Sequence, residues 1–145
     1  MLDKMKATVK EKDICVLATV SGNKPYCSLM AYTSNDEGTE IYMVSHKDTQ
    51  KYRNLTDNPN VSLLIDTRDE DKGPRRSKAR ALTVSGIFRE IEEKESRDRI
   101  RAKLVERHPH IREFAHHPDA QVFSIKATSF LLLEGLTNAY FESLT

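Results

Sequence analysis

The chain has 145 residues, of which 38% are hydrophobic and 31% charged, with 23 Lys and Arg against 22 Asp and Glu. That length suits a single domain spanning residues 1–145, which can bury its own core without a disulfide or metal. The even charge balance gives no long-range pull toward nucleic acid or an anionic membrane. Two cysteines, Cys15 and Cys27, cannot form a secreted disulfide framework.

Met1-Leu2-Asp3-Lys4-Met5-Lys6 runs into charge, not into the apolar stretch of a signal segment. Leu2, Met5 and Val9 share one face of a short amphipathic helix. Ile14 to Val20 is a β-branched run, apolar on both faces, and far shorter than the ~20 residues a membrane span needs. The expectation is a soluble, cytoplasmic protein. Ser21-Gly22-Asn23-Lys24-Pro25 makes a turn, Tyr26 to Thr33 a second strand, Asn35-Asp36-Glu37-Gly38 another turn, and Thr39 to Val44 a third strand. A helix lies within Ser45 to Asn58, capped by Asp48 or Thr49 and ended by Pro59.

Val61 to Ile65 returns to strand, and Asp66 to Arg80 reads as a long, charged, exposed loop. Ala81 to Ile91 is a strand whose interior Gly86 marks a bulge or a close approach. Glu92 to Arg107 is helical, with Glu93/Arg97 and Glu95/Arg99 spaced as i,i+4 pairs. His108-Pro109 breaks that helix. Gln121 to Lys126 and Ser129 to Leu133 close the chain as two strands, before Gly135 and a short tail. With about seven strands, hairpin-linked at the start, and no βαβ alternation, the fold class is mainly β. The pattern favours a closed or nearly closed antiparallel barrel with peripheral α-helices.

Few side chains are arranged for chemistry. The helix start after Ser45 offers free amides, hydroxyls on Ser45 and Thr49, and cations on Lys47, Lys51 and Arg53, a set that suits a phosphate, although taken alone it reads first as an ordinary solvated, capped helix. Four of the five histidines fall between His108 and His117. Without a shared rigid face or a nearby cysteine they read as a solvated surface, and no metal site is expected. The run Lys72-Gly73-Pro74-Arg75-Arg76 is preceded by Asp66, Asp69, Glu70 and Asp71 and lacks interleaved aromatics, so it does not read as a nucleic-acid patch. Cys15 and Cys27 read as core packing.

Three ordered stretches resemble the FMN-binding split-barrel family of pyridoxamine 5′-phosphate oxidase. They are Leu17 to Val20 with Pro25-Tyr26-Cys27-Ser28-Leu29-Met30, Ile41 to Ser45 leading into Thr49-Gln50-Lys51, and Asn54-Leu55 followed by Asn58 to Leu64. Leu82-Thr83-Val84-Ser85-Gly86 matches a later strand of that family. The resemblance implies an antiparallel split β-barrel forming a homodimer, with FMN in grooves at the subunit interface. Ser28, Leu29, Met30 and Ala31 would then line the flavin ring, Met43, Val44 and Ser45 would flank the ring and ribityl chain, and Thr49, Gln50 and Lys51 would hold the phosphate.

It also implies an oxidoreductase acting on a small molecule, with NAD(P)H as a transient electron donor. A non-enzymatic flavin- or haem-binding module is the alternative. The chain departs from the namesake oxidases at Ser28 and Gln50, where they carry arginines, and at Thr33, where they carry a lysine. It also lacks their C-terminal Arg-His segment, so the vitamin B6 oxidase activity is not expected. Arg75, Arg76 and Arg80 are the candidates to make up the missing phosphate charge.

Overall fold

The computed structural model describes residues 1–144. Helix α1 (Leu2–Glu11) leads into β1 (Ile14–Ser21), β2 (Lys24–Ala31), β3 (Thr33–Ser34) and β4 (Glu40–His46). Then come α2 (Gln50–Asp57), β5 (Asn60–Asp66), β6 (Arg80–Glu90), α3 (Lys94–Arg107), α4 (Arg112–His116), β7 (Ala120–Glu134) and β8 (Asn138–Ser143). Every pairing is antiparallel, in the order β2-β1-β5-β6-β7-β4-β3, with β8 also on β7. β2 and β3 stand at opposite ends of this order, yet only Tyr32 separates them in the chain. The sheet therefore curls until its two ends meet, as a split barrel does.

Period-two alternation fills the barrel. Cys15, Leu17 and Thr19 of β1 are buried, whereas Val16 and Ala18 between them are half-buried on the outer face. The expected two apolar faces are thus one core face and one outer face. Leu17, Leu63, Val84 and Phe130 pack inside with Tyr32 and Phe123, and α3 and α4 cover a second cluster around Val44, Leu104 and Ala115. Cys15 and Cys27 lie on opposite faces, so Cys27 is exposed and only Cys15 belongs to the core.

Several expectations need correction. The two closing strands are one, β7, because Ala127 and Thr128 carry no turn chemistry and simply continue the extended chain. Ser85 pairs with Ser129 and Gly86 with Ala127, so Thr128 is the extra residue of a bulge. A Cβ on Gly86 would sit 2.6 Å from Ile125 Cγ2 and 2.8 Å from the Lys126 carbonyl oxygen, which explains the glycine. The tail is the strand β8, whose alternating Ala139 and Phe141 extend the outer face.

The charged segment 66–80 is a fixed loop containing a 3-10 turn over Gly73–Lys78. Thr67 is fully buried there. Its hydroxyl donates to Asp71 at 2.6 Å and accepts from the Arg80 amide at 2.9 Å. That hydroxyl, followed by the Arg75 guanidinium, holds the Asp71 carboxyl below its ordinary range. Along α3, Arg97 bonds the carbonyls of Ile91 and Glu92 instead of pairing with Glu93, while Asp98 pairs with Lys94 and Arg101.

Tyr32 is the corner of the barrel. It is fully buried, its hydroxyl donates to the Val9 carbonyl at 2.7 Å, and its amide donates to the Asp13 carbonyl at 2.9 Å. His108, only 3% exposed, donates from Nε2 to the Tyr32 carbonyl at 2.9 Å, so this histidine is a core group and not a solvated one. Arg107 stacks its guanidinium 5.7 Å from the Tyr32 ring centre and bonds the carbonyls of Lys10, Glu11 and Lys12, capping the end of α1.

Candidate functional site

The split in the barrel forms a cleft. β2 ends the sheet order, so the backbone groups along its outer edge have no strand partner. Leu29, Met30 and Ala31 of β2 form one wall. Val44 of β4, Lys51 of α2, and Ile111 and Phe114 complete a lining around a volume of about 140 Å³. The walls are apolar and carry a single ionisable group. An open strand edge offers amides and carbonyls to the rim of a flat heterocycle, which is how a β-sheet can recognise a ring through backbone alone.

Lys51 is that ionisable group. Its Nζ lies 3.2 Å from the Met30 thioether, a weak acceptor, and no carboxylate pairs with it among the described residues. Burial pushes its pKa below the ordinary lysine value. Among the described residues this half-buried ammonium, held against sulfur, has no counter-ion. The amides of Gln50 and Lys51 likewise have no acceptor among the described residues, at the positive end of α2.

The cleft gathers Leu29, Met30, Ala31, Val44 and Lys51 from the sequence-derived set. The other members lie elsewhere or are already bonded. Thr49 is the helix cap: its hydroxyl accepts from the Tyr52 amide at 3.1 Å and donates to the His46 carbonyl at 3.0 Å. Gln50 donates to Asn54 at 2.7 Å, while Met43 and Ser45 are fully buried. Ser28 is half-buried on β2 and outside the cleft lining. Arg75 is tied to Asp71 and Arg76 to the Arg68 carbonyl, and neither lines the cleft.

A second basic groove, lined by Lys10, Thr33, Lys103 and Arg107, differs in kind. Lys103 there bonds the Ser34 carbonyl and Arg107 caps α1, so two of its cations already serve the fold.

Sequence reading missed His46 and Phe114. His46 ends β4, and its ring stacks on Phe114 at 4.0 Å and on His117 at 4.6 Å. The histidine run around 108–117 was visible, but His46 stands 68 residues before Phe114 in the chain. No periodicity joins the two. Among the described residues no group of three or more His, Cys, Asp or Glu could hold a metal ion.

A sequence model of the pyridoxamine 5′-phosphate oxidase family matches residues 1–133. The chain belongs to that family. No curated protein matches it. Among solved structures, a haem-binding protein from Mycobacterium smegmatis superposes with a TM-score of 0.84 at 16% identity, covering 98% of this chain and 57% of that one. The chain thus spans little more than half of that relative. The haem storage protein HutZ from Vibrio cholerae gives 0.70 at 20% identity, covering 94% and 91%. An FAD-binding protein from Mesorhizobium loti gives 0.72 at 16% identity, covering 89% and 91%. At such identities these likenesses establish the split-barrel fold. No helix among the described residues is long and apolar enough to cross a membrane.

Proposed function

We propose that this family member is a cytoplasmic flavoprotein that binds FMN in the cleft of a homodimer and serves as an oxidoreductase toward a small molecule. The observation that carries the reading is Lys51, a half-buried ammonium without a counter-ion, at the end of an apolar cleft open along a strand edge. A flat ring bearing a phosphate fits that donor set. Lys51 and the first amides of α2 would take the phosphate, and the β2 edge over Leu29–Ala31 would take the ring. When bound, flavin supplies the electron-transfer chemistry, and the chain's own residues orient the ring and exclude water.

Size and surface support the homodimer. About 140 Å³ is less than half of the roughly 300 Å³ at which ligand pockets usually begin, which supports a second wall supplied by another copy. The outer face provides the contact. Cross-strand register aligns Leu29, Val16, Leu64, Thr83, Leu131 and Phe141 in one row, with Leu29 76% and Phe141 64% exposed. Leu29 belongs both to this row and to the cleft, so a second copy seated on the row would stand at the cleft mouth.

The first test is an absorbance spectrum of the purified protein before and after addition of FMN and removal of the excess, with sedimentation to give the mass. Retained flavin bands and a dimer support the proposal, and a dimer that holds no FMN removes the flavin. Reduction of bound flavin by NAD(P)H and reoxidation by an added acceptor separates an enzyme from a carrier. A haem-storage module is the second reading, favoured by the His46–Phe114–His117 stack at the cleft rim, and a Soret band after haemin addition would select it.

A further inference from the structure

Phe114 lines the cleft although it is 42% exposed and sits on α4, a helix of five residues. So short a helix does not hold itself in place. Two contacts fix its backbone: Arg101 Nε donates to the Ala115 carbonyl at 2.9 Å, and His46 Nε2 donates to the carbonyl of Phe114 itself at 3.1 Å. The ring is fixed by His46 as well, at 4.0 Å between centres and 12° between planes. On its other side His46 stacks on His117 at 4.6 Å and 22°. The Asp119 amide in turn donates to His117 Nδ1 at 3.0 Å, which orients that ring.

His46 therefore grips both the backbone and the side chain of one residue. Side-chain alternation places it on the same face of β4 as Val44, which lines the cleft two residues earlier. The strand that builds part of the wall thus also carries the group that holds another part of it. An ordinary surface stack would not put the gripped ring into a ligand cleft.

We infer that His46 is a positioning residue that holds the Phe114 ring as the outer wall of the cleft, so that a flat aromatic ligand whose rim meets the β2 edge rests one face against that ring. This rests on the reading that the cleft takes a planar cofactor. The ring of the ligand feels the clamp, and its phosphate does not, because Phe114 offers a π-face and Lys51 supplies the charge.

The full-length protein is titrated with FMN, riboflavin and inorganic phosphate as wild type and as His46→Ala, His46→Phe, Phe114→Leu and the Ala/Leu double variant. Loss of an aromatic stack corresponds to roughly 2- to 12-fold in affinity. His46→Ala and Phe114→Leu each weaken FMN and riboflavin by that factor and leave phosphate binding unchanged. His46→Phe, which keeps the stack, recovers most of the loss. The double variant is no weaker than either single one, since His46 acts through Phe114. Amide exchange across 112–117 quickens in His46→Ala.

Equal losses for riboflavin and phosphate, additive losses in the double variant, or unchanged exchange would each overturn the inference. Wild-type protein that binds neither FMN nor riboflavin overturns the cofactor reading and the clamp with it. Wild-type binding that His46→Ala leaves intact overturns the clamp alone.

Discussion

Two cations in this molecule show how a structural site differs from a binding site. Arg107, at the Tyr32 corner, directs its guanidinium to the carbonyls of Lys10, Glu11 and Lys12 and stacks over a buried tyrosine. Lys51, in the cleft, is also partly withdrawn from water, and among the described residues it meets a thioether. Both positions look alike in sequence, a basic residue on a helix near a strand. Only the accounting of partners separates them. A cation whose donors are satisfied holds the fold, and one left with a poor acceptor waits for an anion.

The largest expected effect breaks the corner. Arg107→Ala releases three carbonyls at the end of α1 and should cost about 2 kcal/mol in stability by urea unfolding. Flavin affinity per folded molecule should stay unchanged. A Lys51→Ala variant should do the reverse, losing roughly 10- to 100-fold in FMN affinity by absorbance titration, as expected for a charge-assisted bond, with stability held within about 1 kcal/mol.

Alkaline titration sharpens the contrast by sign. Burial pushes the Cys15 thiol from its ordinary 9.0 to about 12, so the stability it contributes is intact below pH 9.0 and declines as pH rises from there. Lys51 is shifted the other way, below 10.5, so in the window beneath 10.5 the unfolded chain holds the extra proton and its contribution to stability rises with pH. Across that same window FMN affinity should fall as the ammonium is lost. Urea midpoints and FMN titrations followed over one pH series, with Cys15→Ala as reference, measure both. The smallest effect belongs to Arg53, which meets Asp48 at 3.5 Å on the surface. Arg53→Ala should change stability by less than about 0.5 kcal/mol and leave FMN affinity alone.

The barrel was readable because its strands announce themselves locally. Ile14 to Val20 and the Gly22 turn require nothing from distant residues, and Gly86 marks its own close approach. β8 was not readable, since Asn138 to Ser143 become a strand only through pairing with Leu131 and its neighbours. The charged loop concealed its order for a similar reason, because Thr67 and Asp71 bury each other and composition records only their polarity. In the cleft, the family resemblance supplied Lys51 and the β2 edge, and spacing alone did not. It could not show that Thr49 is consumed as a cap or that His46 reaches Phe114. Partner accounting needs three dimensions.

The corner at Tyr32 also has a topological meaning. Because β2 and β3 end the sheet on opposite sides while joined through one residue, the peptide chain itself is the seam of the barrel. A circular permutant opened between Ala31 and Tyr32 would free two strand ends and leave them to pair with other molecules. One opened in the exposed turn at Asp36-Glu37 would leave that seam intact. The same chain would then be an aggregating sheet or a split barrel, according to where it begins.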